Sequence, residues 1–348
     1  MKPIKVLIID DSALIRSLLR EMIASDPRLE VCGAAEDPYQ AREMIKQLNP
    51  HVLTLDIEMP RMNGISFLKN LMRLHPLPVV MISTLTQVGA PETLEALSLG
   101  AVDFIGKPKQ HSDLGLSQYR DEIIRKLICA AGANVTAMEG VGKAKATGLD
   151  AVAQSKSLKT GFLCAIGAST GGTEAIKAVV SSLPLNSPPI VVTQHIPPAF
   201  STSFAKRLDG ASAVKVYEAQ HQQPIEKGCV YIAPGDAHLK VSKTAKGYIC
   251  LLDSGEMVNR HRPSVEVLFD SVCEQVGNKA MGVILTGMGA DGAEALKRMR
   301  DAGSHTIAQD EATSIVWGMP GAAVKLDAAA EVLPLNKVAA NIIKHALK

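Results

Sequence analysis

The sequence predicts an α/β fold made of two doubly wound parallel-sheet domains, and three observations predict it. Short β-branched runs alternate with segments of helical spacing along most of the chain, the rhythm of strand–helix–strand units. The alternation lapses over Ala133 to Lys159, where Gly, Ala, Ser, Thr and Lys replace large apolar residues. Chemistry-bearing side chains fall at the ends of strand-like runs, where open parallel sheets gather functional groups. A length of 348 residues allows two such units, each with its own core.

In chain order, Ile4 to Ile9 reads as a strand, and Leu14, Leu18, Leu19 and Met22 recur at helical spacing behind it. Val52 to Leu55, Pro78 to Ile82 and Val102 to Ile105 read as buried strands, with helices at Ile65 to Leu74 and Pro91 to Leu99. A helical pattern from Ile123 to Ala131 runs into the linker composition. A strand then starts at Phe162, followed by Ile190 to Thr193, Val230 to Ala233, Met281 to Leu285 and Thr306 to Ala308. The expected organisation is a first domain over 1–124, a helical extension and flexible linker over 125–159, and a second domain over 160–348. No repeat of fixed period points to a solenoid.

Composition excludes several classes. With 47% hydrophobic and 21% charged residues, neither disorder nor a fibrous chain is expected. The 37 basic and 35 acidic residues leave a net charge of +2, so no strong field marks nucleic acid or a membrane surface as the main partner. Cys32, Cys129, Cys164, Cys229, Cys250 and Cys273 are scattered without metal or redox spacing. Several lie in apolar runs, where buried free thiols in a reducing cytoplasm are expected. The N-terminus reaches Asp10 through a strand rather than a signal peptide, and no apolar stretch has spanning length.

Asp10 and Asp11 end the first strand, Asp56 the third and Ser83 the fourth, while Lys107 follows the fifth, just before Pro108. In a parallel sheet these ends share one edge. Crowded carboxylates repel one another and call for a hard cation with oxygen ligands and retained water, which suits Mg²⁺. A cation flanking one carboxylate, with a lysine and a hydroxyl to take up equatorial charge, favours phosphoryl transfer onto that carboxylate, and Asp56 is the candidate acceptor. Taken singly, the aspartates also read as a helix N-cap pair and a strand-end turn, and Lys107 as a solvated charge. Together with Met59-Pro60-x-Met62-x-Gly64, this set resembles the two-component receiver family. The resemblance implies a flavodoxin-like domain, Mg²⁺ held by Asp10, Asp11 and Asp56, and switch residues Ser83, Lys107 and Phe104. For Phe104 a core aromatic is the competing reading.

Phe162 to Gly172 is an apolar strand that ends in Gly167-x-Ser169-x-Gly171 and opens a helix, the pattern of a nucleophile elbow. A glycine-rich packing turn and a phosphate-binding loop are the alternatives, though no Lys follows Gly172 and the dinucleotide spacing is absent. His195 ends the next strand. Asp291 lies in Thr286-Gly287-Met288-Gly289-Ala290-Asp291-Gly292 after a later one, where it also reads as a cap on the following helix. Delivered to one sheet edge, Ser169, His195 and Asp291 make a catalytic triad, in an order unlike that of α/β-hydrolases. The backbone amide near Thr170 is an oxyanion candidate, and the Thr170 hydroxyl an alternative partner for the histidine.

From Gly167 to Gly172, through Gln194-His195-x-Pro197, Ile232 to His238 and His261-Arg262-Pro263-Ser264-Val265, to Leu285–Asp291, Gln309-Asp310-Glu311 and Gly318-Met319-Pro320, the second domain resembles the catalytic domain of the chemotaxis protein-glutamate methylesterase family. The resemblance implies a Rossmann-like serine hydrolase and a second oxyanion amide near Met288. It also implies demethylation of glutamyl esters and deamidation of glutamines on methyl-accepting chemoreceptors, without a cofactor for the ester reaction. The expected partners are those receptors and a chemotaxis histidine kinase as phosphodonor; the protein is expected to be cytoplasmic and peripheral to membrane receptors. The domain order implies that phosphorylation of Asp56 releases a masked hydrolase. Two alternatives stay open, a phosphorylation-controlled binding module and a related hydrolase acting on a non-chemotaxis protein.

Overall fold

β-branched runs bounded by helices pair side by side as parallel strands, because each crossover helix returns the chain to the same sheet end. The computed structural model describes residues 2–83, 89–107, 113–136 and 157–348, with residues 113–115 by backbone alone. Two compact units result, Met1–Thr136 and Ala137–Lys348. Pro108 and residues 137–156 of the expected linker lie outside the described residues.

In the first unit, β1 (Ile4–Ile9), β2 (Leu29–Ala35), β3 (Val52–Asp56), β4 (Val79–Ser83) and β5 (Asp103–Gly106) form one parallel sheet in the order β2-β1-β3-β4-β5. The intervening helices are α1 (Ala13–Ala24), α2 (Pro38–Leu48), α3 (Gly64–Leu74), α4 (Ala90–Ser98) and α5 (Asp113–Ala131). Side chains cap three of them at the N-terminus, with Ser12, Asp37 and Asn63 each accepting from amides in the first turn. The order reverses at β1 and β3, so a crevice opens beyond their carboxyl ends. The helical pattern read from Ile123 belongs to a longer helix, α5, whose Ile123, Leu127 and Ala130 are buried. A division at residue 124 therefore cuts a continuous helix that packs on β4 and β5.

In the second unit, seven parallel strands run in the order β15-β14-β13-β6-β7-β10-β8. The central ones are β6 (Leu163–Ala168), β7 (Ile190–Gln194), β10 (Cys229–Ile232), β13 (Ala280–Ile284) and β14 (His305–Gln309), with β8 (Lys215–Glu218) and β15 (Glu331–Leu333) at the edges. The chain winds outward from β6 through β7, then returns to its other side through β13, which makes β6 the switch point. The helices are α6 (Gly172–Ser181), α7 (Pro198–Gly210), α8 (Val265–Val276), α9 (Ala293–Asp301), α10 (Met319–Lys325) and α11 (Leu335–Ala346).

Two features depart from the expected all-parallel unit and its linker. A three-stranded antiparallel sheet in the order β11-β12-β9 is built from β9 (Pro224–Ile225), which lies between β8 and β10, and from β11 (His238–Thr244) and β12 (Gly247–Asp253), which lie between β10 and β13. It joins the same core, where Leu239, Val241 and Cys250 are buried with Phe269, Leu268 and Val272 of α8. Residues 157–159, expected to be linker, pair with the chain end: Leu158 bridges to Leu347, and the Lys159 amide donates to the Ala346 carbonyl at 2.7 Å. All six cysteines are free, and burial pushes the Cys129 and Cys250 thiols up to about 12. No described helix is long and apolar enough to cross a membrane.

Phe269 is fully buried where α8 meets this core. Phe269→Ala is expected to cost about 3–5 kcal/mol. The check is denaturant unfolding followed by Trp317, the single tryptophan and a reporter of the second unit; an unchanged midpoint contradicts the packing described.

Candidate functional site

In the first unit the strand ends bring Asp10, Asp56 and Lys107 together. Lys107 Nζ lies 2.8 Å from Asp56 Oδ2 and 3.3 Å from Asp10 Oδ2. Asp10 and Asp56 are almost wholly buried, whereas Asp11 is exposed. Donor oxygens of Asp10, Asp11 and Asp56 lie within 4.8 Å of one another. Ser12 donates its amide to Asp10 Oδ1, whereas the buried Asp10 Oδ2 is met only by the ion pair with Lys107 at 3.3 Å. A buried anionic oxygen met only by a lysine that it shares with Asp56, beside two more carboxylates, fits the oxygen-rich surroundings of a hard divalent cation.

Burial dominates the electrostatics here. It pushes the Asp56 carboxyl up from 3.8 to about 6, against the pull of the Lys107 hydrogen bond and with help from the charge on Asp10. Asp10 is raised for the same first reason. Lys107 is held above its ordinary value because contacts with both aspartates outweigh its own burial. Gly64 is required by close approach: a Cβ there would fall 2.0 Å from the Asp56 carbonyl oxygen. The Ser83 hydroxyl has a partner on α4. It lies 3.2 Å from Thr93 Oγ1, which itself donates to the Gly89 carbonyl, so Ser83 is the donor toward α4. Phe104 is buried, with Lys126 Nζ 5.2 Å from its ring centroid.

In the second unit Ser169 follows β6 directly, and the turn into α6 passes through Gly171 at φ +75, where a Cβ would also meet Ile315 at 2.7 Å. His195 follows β7, whose end pairs beside β6 at Ala168↔Gln194. His195 Nδ1 lies 3.0 Å from Ser169 Oγ, and His195 Nε2 lies 2.8 Å from Asp291 Oδ2. The carboxylate accepts from Nε2–H, which leaves the lone pair of Nδ1 facing the serine hydroxyl. Relative to the common serine protease arrangement, the two ring nitrogens exchange roles.

Asp291 does not cap the helix that follows it. Its Oδ2 accepts the Val265 amide at 2.7 Å and its Oδ1 accepts from the Glu266 amide at 3.3 Å, so it sits on the N-terminus of α8. Ser264 Oγ and Asn259 Nδ2 each donate to Oδ1 at 2.8 Å. Although burial alone would raise it, these donors and the His195 hydrogen bond hold the Asp291 carboxyl well below the usual carboxylate range. The His261 ring stacks on His195 with centroids 3.7 Å apart and planes 6° apart, fixing the imidazole from its face.

The loop Thr286–Gly289 passes directly beside the serine. Thr286 accepts the Ser169 amide at 3.0 Å, and a Cβ on Gly287 would stand 2.9 Å from Ser169 Cβ. Thr170 is buried and Met288 half-buried, each adjoining this contact in the chain. Asn259 escaped the sequence reading, and Ser264 was marked only by family pattern. Their one local signal is Asn259-Arg260, left-handed at φ 52 and 66 between bridged Val258 and His261, a two-residue reversal that aims the Asn259 amide at the carboxylate.

Comparison with known proteins bears on both units. The CheB methylesterase family matches residues 164–342, and the response regulator receiver domain matches residues 6–116. The chain is 52% identical to the protein-glutamate methylesterase/protein-glutamine glutaminase of Hydrogenovibrio crunogenus, with 99% of each chain covered. It is 52% identical to the protein-glutamate methylesterase/protein-glutamine glutaminase 1 of Xanthomonas campestris pv. campestris, covering 98% of this chain and 97% of that one. The crystal structure of the Thermotoga maritima CheB methylesterase catalytic domain is 38% identical, with a TM-score of 0.52, over 53% of this chain and 99% of that one.

Asp56 binds its proton more tightly folded than unfolded, so the folded state loses stability as pH rises from about 4 through about 6. Asp56→Asn removes that penalty. Calorimetry in metal-free buffer is expected to show the first unit melting higher in the variant at pH 7 than in the parent, with the gain gone by about pH 4; a lower transition at pH 7 counts against the electrostatics described.

Proposed function

Because the chain belongs to the CheB methylesterase family and carries a response regulator receiver domain, we propose that it is a phosphorylation-controlled serine hydrolase of chemotactic adaptation. It removes methyl groups from glutamyl esters of methyl-accepting chemoreceptors, releasing methanol, and deamidates particular receptor glutamines. The observation that carries this reading is the unbroken hydrogen-bond chain from Ser169 Oγ through His195 to Asp291.

In the proposed mechanism, Ser169 Oγ attacks the ester carbonyl carbon while His195 Nδ1 takes the hydroxyl proton. Asp291, low in pKa and fully supplied with donors, stays ionised and stabilises the imidazolium through Nε2–H. The carbonyl oxygen gains negative charge, for which the backbone amides near Thr170 and Met288 are the candidate donors. The tetrahedral carbon expels methoxide, His195 Nδ1–H returns its proton, and methanol leaves. Water then repeats the sequence on the acyl-serine, giving glutamate and free Ser169. With a glutamine side chain the leaving group is ammonia.

The receiver implies Mg²⁺-dependent phosphorylation, and the finer proposal is that Asp10, Asp11 and Asp56 hold the ion. Bound there, it would offset the charge of the carboxylates and of the arriving phosphoryl group. Asp56 is the proposed acceptor from a histidine kinase, with Lys107 on its Oδ2. Ser83 and Phe104 are the proposed switch: the Ser83 hydroxyl, now committed to Thr93, would exchange that partner for the phosphoryl group.

The deciding experiment measures methanol release from methylated receptor, with and without a phosphodonor. Ser169→Ala is expected to lower the rate by at least about a thousandfold, and Asp291→Asn by about 10³–10⁴-fold, since an asparagine amide favours the wrong tautomer of His195. An undiminished rate in either variant removes the proposed triad. Asp56→Asn is expected to abolish phosphate incorporation and the response to phosphodonor; label at normal yield removes Asp56 as acceptor. A chain beginning at Ser157, which keeps the pairing to the C-terminus, is expected to be faster than the unphosphorylated full chain, and equal rates exclude masking.

A further inference from the structure

We propose that Gln194 is a positioning residue for the hydrolytic reaction: its side-chain amide holds the carbonyls of Ser169 and His195 together and so sets the distance between nucleophile and base. The inference rests on the reading of Ser169, His195 and Asp291 as a triad. Gln194 ends β7 and is buried. Strands β6 and β7 pair as far as Ala168↔Gln194, and the His195 amide donates once more to the Ala168 carbonyl at 3.2 Å. Beyond that rung the two backbones part into separate turns. There the Gln194 side chain supplies the next rung, with Nε2 donating to the Ser169 carbonyl at 2.9 Å and to the His195 carbonyl at 3.2 Å.

Both partners are carbonyl oxygens, which only accept, so the NH₂ group faces them and Oε1 faces away. That oxygen is buried without a hydrogen bond and lies against Gly172, where a Cβ would stand 2.1 Å from it. An unmet buried amide oxygen is costly, and an apolar side chain of the same length would fill the space without that cost. What glutamine adds is the pair of N–H donors. Ser169 is thereby held on two sides: its amide donates to the Thr286 carbonyl at 3.0 Å, and its carbonyl accepts from Gln194 and from the Gly172 amide at 2.7 Å. His195 is held at Nε2 by Asp291, and among the described residues Gln194 Nε2 is the one donor to its carbonyl. Loss of the amide frees the turn carrying His195 from the elbow, and the 3.0 Å separation of Ser169 Oγ and His195 Nδ1 widens into a spread of distances. Because Gln194 bonds to main chain and not to the reacting atoms, the loss falls on the chemical steps and not on substrate binding.

The test compares the full chain, treated with phosphodonor, with Gln194→Met, which keeps the length and bulk of the side chain without its N–H groups. Reactive serines are counted by labelling to completion with a fluorophosphonate, so that an unfolded fraction lowers the end point and a loosened pair lowers the rate. Methanol release from methylated receptor, per reactive serine, is expected to show kcat lower by roughly 10–100-fold with KM within about twofold of the parent. Phosphonylation, which needs the same serine and histidine but no receptor, is expected to slow by a similar factor at a parental end point. Gln194→Asn, whose amide is one methylene too short to span both carbonyls, is expected to lose kcat in the same way, and it decides the matter if Gln194→Met does not fold. Parental kcat and phosphonylation rate in a folded variant overturn the inference and leave the triad in place. So does a raised KM at parental kcat, or a lower end point at parental rate. A parent that neither hydrolyses methylated receptor nor reacts with the fluorophosphonate overturns the triad and the inference together.

Discussion

A single buried carboxylate organises the second unit. Asp291 receives hydrogen bonds from His195 Nε2, Asn259 Nδ2, Ser264 Oγ and the Val265 and Glu266 amides. An ionised carboxylate out of water is costly unless its lone pairs are met, and here they are met by three separate stretches of chain. That one requirement fixes the orientation of α8, the reversal at Asn259-Arg260 and the tautomer of His195. The serine elbow then needs only to present its hydroxyl to a nitrogen already prepared.

The two units solve the same electrostatic problem in opposite ways. Asp56 and Asp291 are both strand-end carboxylates withdrawn from water, yet one is pushed up to about 6 and the other is held low. Donor supply makes the difference. Asp291 is saturated by neutral and helix-terminal donors, whereas Asp56 shares Lys107 with a second buried carboxylate, Asp10. The first arrangement suits a charge that must persist through a reaction. The second leaves negative charge under-compensated, which is what the proposed binding of a cation and a phosphoryl group there would require.

Both sites lie where a parallel sheet changes winding direction, which is why strand ends read from the sequence found them. Hydrophobic runs of β-branched residues place β1, β3, β6, β7 and β13 because such strands are buried on both faces. The same logic misses the antiparallel sheet, whose β9 spans only Pro224–Ile225 and whose strands lie half in solvent. It also misses the start of α5, because a helix that buries only one narrow stripe leaves a weak pattern. Ser83 shows the limit of counting residues at an edge: it reaches the right edge, but Thr93 takes its hydroxyl.

The sequence by itself determined the two parallel sheets, the receiver-plus-hydrolase order and the placing of Ser169, His195, Asp291 and Asp56 as candidates at or beyond strand ends, because strand periodicity and residue type are local properties. Tertiary structure alone decided which ring nitrogen faces the serine, that Asp291 caps α8 rather than the helix after it, and that Asn259, Ser264 and His261 complete the site. Each depends on contacts between segments far apart in the chain, as in the 96 residues separating His195 from Asp291, and no local spacing encodes the angle at which such segments meet.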